Sequence, residues 1–204
     1  MSDKIVSVNA LFLQRFNCIL WCMIDTKYLR NNLLIATPSV TDAVFQHAVI
    51  YLYEHNDEGS IGVIINKPLH VSLFDVLQHT GSAKEIVAEN LKQEPVLLGG
   101  PTQQDSGLIV YSDLGSDVIN IASSLEMLDS IAQGTGPARR LMVLGYCGWD
   151  AGQLEEEVFR NDWLLLPSNI AAVFEVPLSD RWFHCYQALG IKDIYNFTGG
   201  AGNA

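Results

Sequence analysis

Basic residues are scarce in this chain, with 12 Lys+Arg against 23 Asp+Glu and a formal net charge of −11. Surfaces that hold DNA or RNA neutralise phosphates with Lys and Arg. No run of basic residues occurs here, so direct binding to nucleic acid is not expected. Cysteines number four, Cys18, Cys22, Cys147 and Cys185. None forms Cys-x-x-Cys, and no histidine pair stands at a zinc-like spacing. The expectation is reduced thiols in a cytoplasmic protein with no structural metal and no cofactor. Long hydrophobic runs are missing too. The apolar stretch Phe16–Ile24 falls well short of the roughly 20 residues of a membrane span. It runs into Asp25-Thr-Lys-Tyr28 with no small-residue cleavage site. Neither a membrane association nor a secretory leader is expected.

What is present is the composition of a folded domain, 49% hydrophobic and 17% charged over 204 residues. That length buries a substantial core. Residues 1–22 read as a dispensable N-terminal extension, and 23–204 as one domain. From Leu33 on, strand and helix signals alternate without a linker. Leu33–Ala36 is a strand stopped by Pro38. His47–Tyr53 and Ile61–Asn66 are strands joined by Glu54–Ser60, whose Asn, Asp and Gly suit a turn, so the pair predicts an antiparallel hairpin that Pro68 ends. Ser72 caps a short helix that Gly81 stops, and Ala83–Leu91 reads as a second helical piece. Val96–Leu98, Leu108–Tyr111 and Val118–Ile121 are strands. Ser123–Glu126 reads as a capping box opening a helix that Gly134 closes. Arg140–Leu144 is a strand that turns out at Gly145–Trp149. Helix Gly152–Arg160, strand Asp162–Leu166 and helix Asp180–Leu189 complete the chain. The fold class is α+β: a single mixed sheet, with at least one antiparallel hairpin, and packed helices.

Motifs that carry chemistry are few. Cys147 sits between a strand and a helix, where a thiol can be activated. The Gly-x-nucleophile-x-Gly elbow is broken by Trp149, and a small residue packed in a turn is the favoured reading. Glu155, Glu156 and Glu157 are consecutive on a helix and point in different directions, so they cannot converge on one ion; they read as a solvated helix start. The five histidines read as surface or edge residues. Gly99-Gly100-Pro101 lacks the Lys-Ser/Thr of a phosphate loop. Trp149, Trp163 and Trp182 read as core aromatics with paired indole N–H groups.

Taken together, Leu34-Ile-Ala-Thr-Pro38, Tyr53-Glu-His-Asn56, Gly62-Val-Ile-Ile-Asn-Lys-Pro68, Gly99-Gly-Pro101, Leu144-Gly-Tyr-Cys-Gly-Trp149 with Gly152-Gln-Leu-Glu155, and Arg181-Trp182 resemble the YqgE/AlgH family of bacterial proteins. The resemblance spans about Lys27 to the C-terminus. It departs at Cys147, where the family usually has Ala or Ser, at Ser112 and Asn203, where it more often has His, and over residues 1–22. The resemblance implies an uncharacterised cytosolic α+β domain, without established catalysis, in a family with one member labelled a regulator of alginate production.

The function expected is a non-catalytic binding or regulatory module for a small molecule or a protein. Its site is expected at three strand-end loops: Asn66, Lys67 and Pro68; Gly99, Gly100 and Pro101; and Gly148 and Trp149 with Gln153. The alternative is an enzyme, a hydrolase or a thiol catalyst, using Cys147 or a carboxylate such as Asp150 or Glu155. A chain begun at Met23 is expected to melt within a degree or two of the full chain. A loss of several degrees on calorimetry would show that residues 1–22 pack on the domain.

Overall fold

A computed structural model describes residues 29–81 and 89–191. The expectations for residues 1–22, and most of the helix at Ala83–Leu91, lie outside the described residues. The strands are β1 (Asn32–Ala36), β2 (Val49–Asn56), β3 (Gly59–Ile64), β4 (Pro68–Ser72), β5 (Pro95–Leu98), β6 (Thr102–Ser112), β7 (Asn120–Ala122), β8 (Arg139–Asp150) and β9 (Trp163–Pro167). The helices are α1 (Leu73–Thr80), α2 (Leu125–Ala132), α3 (Gln153–Phe159) and α4 (Arg181–Ala188). A short 3-10 turn covers Glu89–Lys92 and a π-helical turn Ala171–Glu175.

All nine strands join one mixed sheet that turns on β8. The second half of β8 pairs with β3, and beyond β3 lie β2, β1 and β9, every pairing antiparallel. The first half of β8 pairs in parallel with β5, through Val96–Met142 to Leu98–Leu144, and antiparallel with β6 on its other side. β4 and β7 are the outer strands of this half. The chain is therefore α+β with a mixed sheet, and the predicted hairpin is β2–β3.

The bend in β8 is made by glycine. Gly145 has φ +75, and a Cβ there would stand 2.7 Å from the carbonyl oxygens of both Gly100 and Thr102. On the facing segment, a Cβ on Gly99 would run into the Gly145 carbonyl, and one on Gly100 into Tyr146. The two backbones cross with no side chain between them. The expected turn at Gly145–Trp149 is instead a bend, because Cys147–Asp150 go on to pair with Gly62–Gly59.

Alternation along the strands sorts the core into three layers. Leu97, Val110 and Val143 from one half of the sheet cluster with Leu33, Ile35, Tyr51 and Val63 from the other, so the halves face each other. The Tyr51 hydroxyl donates to Asn31 Oδ1 at 2.8 Å and stands 3.3 Å from the Ile119 carbonyl just ahead of β7. α4 and the π-helical turn add Ala172, Val173, Cys185 and Tyr186 to this cluster. The neighbours in the pleat, Val96, Ile109 and Met142, point the other way, onto Leu73 and Leu77 of α1 and Leu128 and Ile131 of α2. On the outer face of the β3 half, Leu34, Ile50, Leu52 and Ile64 meet Leu154 of α3.

Local signals account for most helix ends. Ser72 and Asp75 form a reciprocal capping box, and Gly81 stops α1 at φ +64. The cap of α2 is Ser124, whose hydroxyl accepts from Met127 N at 3.2 Å. The box read at Ser123–Glu126 is thus one residue out of register. Pro68 opens β4 rather than only ending the hairpin, which an outer strand permits because a missing N–H there breaks no ladder.

Gly145→Ala combines a left-handed backbone with two carbonyl contacts, whereas a methyl group added at Gly115, at φ +79, would meet nothing within 4 Å. Gly145→Ala is expected to cost more than about 3 kcal/mol in urea unfolding and Gly115→Ala only about 1 kcal/mol. Equal costs would show that the crossing is not the constraint.

Candidate functional site

Two of the three expected loops meet at the C-terminal end of β3. Leu98 N donates to the Lys67 carbonyl at 2.8 Å, Ile64 N to the Gly99 carbonyl at 2.8 Å, and Gly99 N to the Leu144 carbonyl at 2.7 Å. Asn66–Pro68 and Gly99–Pro101 are thereby one corner. Asn66 is spent on the fold: its Oδ1 accepts from Val49 N and its Nδ2 donates to the His47 carbonyl, both at 2.9 Å. Lys67 Nζ reaches the Ala43 carbonyl at 3.1 Å. Burial lowers its pKa, against the opposing charge of Asp42. Pro68 and Pro101 are exposed, while Gly99 and Gly100 are buried.

Arg181 closes this corner from beneath, and the sequence reading gave it no role. It is 2% exposed. Its Nε donates to the Val176 carbonyl at 3.1 Å and its Nη1 to the carbonyl of Ile65. Burial pulls its pKa down to about 10, partly offset by Cys185, so it stays charged at neutral pH. Next to it, Trp182 Nε1 donates to the Ala36 carbonyl at 2.8 Å. The Trp182 ring lies 4.5 Å from the His47 ring and 4.6 Å from Tyr186. His47 has φ +57, unusual for a residue with a Cβ.

The third loop starts beside Gly99–Gly100 and runs toward the other end of β3. Gly148 pairs with Ile61 and Trp149 with Ser60, at the opposite end of β3 from Asn66. Six residues of extended chain separate Ser60 from Asn66, about 20 Å at the rise of a strand. Trp149 and Gln153 therefore stand away from Asn66, whereas Gly148 follows Cys147, whose thiol reaches the Gly99 carbonyl at 3.4 Å, and so borders the Gly99–Gly100 side of the corner. Trp149 is 7% exposed and offers no open face. Its indole and that of Trp163 both donate to Glu157 Oε2, at 2.9 and 2.8 Å. Gln153 Nε2 donates to Glu157 Oε1 at 2.9 Å, and its Oε1 accepts from Asp150 N at 3.0 Å. Glu157 is thus an anchoring carboxylate and no solvated helix acid. The requirement that two buried indoles find an acceptor was the available signal.

His55 is likewise buried, contrary to the surface reading. Its Nδ1 is 2.7 Å from Ser60 Oγ, and its Nε2 is 3.6 Å from Glu155 Oε1. Hydroxyl, imidazole and carboxylate follow the order of a hydrolytic triad. Yet Ser60 is itself buried and is the cross-strand partner of His55 in the β2–β3 ladder. The group reads as a buried polar pair that docks α3.

Cys147 is 1% exposed and its thiol points at the Gly99 carbonyl, 3.4 Å away. Burial pushes its pKa up to about 12, against a smaller opposing hydrogen bond from Ile64. A thiol held protonated and out of reach is no nucleophile at neutral pH. Among the described residues no group of three or more His, Cys, Asp or Glu is placed to hold a metal ion, and no helix is long and apolar enough to cross a membrane.

The pattern that defines the AlgH-like family matches residues 33–193. The chain belongs to this family. It is 43% identical over 185 residues to a UPF0301 protein of Coxiella burnetii, with 89% of this chain and all of that protein covered. It is 39% identical to a UPF0301 protein of Nitrosococcus oceani, over 87% of this chain and 97% of that protein. The solution structure of the AlgH protein from Pseudomonas aeruginosa superposes with a TM-score of 0.68 at 34% identity, covering 87% of this chain and 96% of that one. A crystal structure from Corynebacterium diphtheriae shares the fold, with a TM-score of 0.62 at 21% identity over 78% of this chain and 86% of that one.

The cysteines yield a pH prediction. Cys147 titrates near 12 and Cys185 near 11 in the folded chain, both raised by burial, against roughly 8.5 in an unfolded one. The stability that depends on their neutral form is complete below about pH 8.5 and is lost as pH climbs toward their folded values. The melting temperature should fall between about pH 9 and 11, less steeply in Cys147→Ala. Peptide mapping after alkylation at pH 8 should find both thiols unmodified in native protein; prompt labelling of Cys147 would overturn the assignment.

Proposed function

We propose that this AlgH-like chain is a non-catalytic binding module with a regulatory role in the cytoplasm, and that the corner built by Asn66–Pro68 and Gly99–Pro101 is its binding site. The observation that carries this reading is the Leu98–Lys67 bond, which joins two loops distant in sequence and leaves Lys67 half-buried between exposed prolines. Backbone at Gly99 and Gly100 is held rigidly by the crossing with β8, and rigid loops at strand ends suit recognition. The partner is a small molecule or a protein. The acidic chain disfavours direct contact with nucleic acid or an anionic membrane surface.

The candidates for catalysis support the same reading. Cys147 is sealed, and Ser60 is buried in a strand ladder. Glu155, the carboxylate of the enzyme alternative, is partly exposed and faces His55. Wild type and Cys147→Ala are expected to show no turnover in a panel of ester, phosphate and thioester substrates. In a fragment screen by amide NMR, shifts are expected to gather on Lys67, Gly99 and Gly100. Turnover abolished by Cys147→Ala or Glu155→Gln would replace the binding reading with an enzymatic one. Hits that gather instead on Trp149 and Gln153 would move the site to the other end of β3.

A further inference from the structure

Positive charge collects at the end of β3 in a chain that has little of it. Ile65 and Asn66 each hold one basic residue, and the next residue is a third. The Ile65 carbonyl takes the Arg181 guanidinium, the Asn66 side chain takes the backbone of His47, and Lys67 follows directly. None of the three has a carboxylate within 4.0 Å among the described residues. By contrast Arg139, Arg140 and Arg160 are paired with Glu175, Glu94 and Asp162 at 3.3, 2.6 and 3.0 Å. The acids nearest the group are Asp42, whose charge is felt at Lys67, and Asp180, which precedes Arg181 and takes a hydrogen bond from Ser179.

Arg181 is the informative member. A buried charge is costly unless it is paired. The carbonyls of Val176 and Ile65 satisfy two N–H groups without neutralising the cation. A charge held below the surface is poorly screened by salt, so its field emerges at the groups above it. Those are Lys67, half-buried, and His47, exposed and resting on Trp182.

We propose that this corner is a site for a small oxyanion, the carboxylate or phosphate group of a small molecule, contacted by Lys67 and His47 and attracted from beneath by Arg181. The assignment rests on the binding-module reading and names the chemistry of its ligand. Lys67 would direct its ammonium to one oxygen and His47 a ring N–H to another, both charge-assisted by the anion. Arg181 acts through the field and the position of Ile65, and touches no ligand.

The test is a titration of the full-length, 15N-labelled chain with inorganic phosphate and, separately, acetate, against sodium chloride at equal ionic strength. The Trp182 indole N–H, under His47, is the reporter. A saturable shift is expected with at least one anion and none with chloride. Saturation by phosphate alone assigns a phosphoryl ligand, and saturation by acetate assigns a carboxylate. Lys67→Met should weaken binding at least about 10-fold, while Lys92→Met, whose ammonium lies over Phe74, should leave it unchanged. Arg181→Met should abolish it; if that variant does not fold, Lys67→Met decides. No saturation by either anion below roughly 50 mM, or a shift that survives Lys67→Met, overturns the oxyanion site. If neutral fragments still gather on Lys67 and Gly99 in that case, the binding reading stands without it; if nothing binds there, both fall.

Discussion

The contact on which the rest depends is between two pieces of bare backbone. Gly99–Gly100 lies directly on Gly145–Cys147, too close for a Cβ on either side. Because β8 bends there and carries on, one strand serves both halves of the sheet, and the halves can face each other across a shared core. A side chain at the crossing would force the strands apart and open that core, where packing is dense and tolerates little displacement.

The same contact sets the site. Gly99 bonds Ile64 at the end of β3 and Leu144 in β8, and Leu98 bonds Lys67. Loops separated by some thirty residues are therefore fixed to each other through backbone hydrogen bonds, independently of what their side chains do. Asn66 then holds the start of β2, and α4 comes in with Arg181 and Trp182 bonded to carbonyls of Ile65 and Ala36. The polar side chains at this corner are for the most part donors directed at main-chain oxygens, which gives a stiff frame around two cations, Lys67 and Arg181. At the other end of β3 a carboxylate, Glu157, organises two tryptophans. One end of the strand is thus framed around cations bonded to carbonyls and the other around a carboxylate bonded to indoles.

Strand and helix positions were legible where the cause is local. The β2–β3 hairpin, the Ser72 cap and the stop at Gly81 follow from residues acting on their immediate neighbours. What was not legible depends on partners far along the chain. Gly145 looks like a turn in sequence, and only the pairing of Cys147–Asp150 with β3 makes it a bend. Trp149 reads in sequence both as a core aromatic and as part of the binding site, and Glu157 and Trp163 enclose it as core. Two of the three strand-end loops gather as expected, and strand direction carries Trp149 and Gln153 away from Asn66. β3 and β8 run antiparallel, so the segment after Leu144 and the segment after Ile64 leave in opposite directions. Arg181 is named for the resemblance it carries but is given no role, because an arginine in sequence carries no sign of whether a carboxylate awaits it.

Sharing one strand between two half-sheets also dictates an order of assembly. The partners of β8, namely β3, β5 and β6, all precede it in the chain. During synthesis from the N-terminus they leave the ribosome first, with the edges that β8 will occupy still open. Neither half can be stitched to the other until residues 139–150 have emerged, and β9, which completes the β1 edge, comes later still. A nascent chain of this family therefore passes through a stage in which several hydrogen-bonding edges are exposed together, the situation in which strands pair wrongly or with other chains. The long sequence separations of these pairings make closure slow as well.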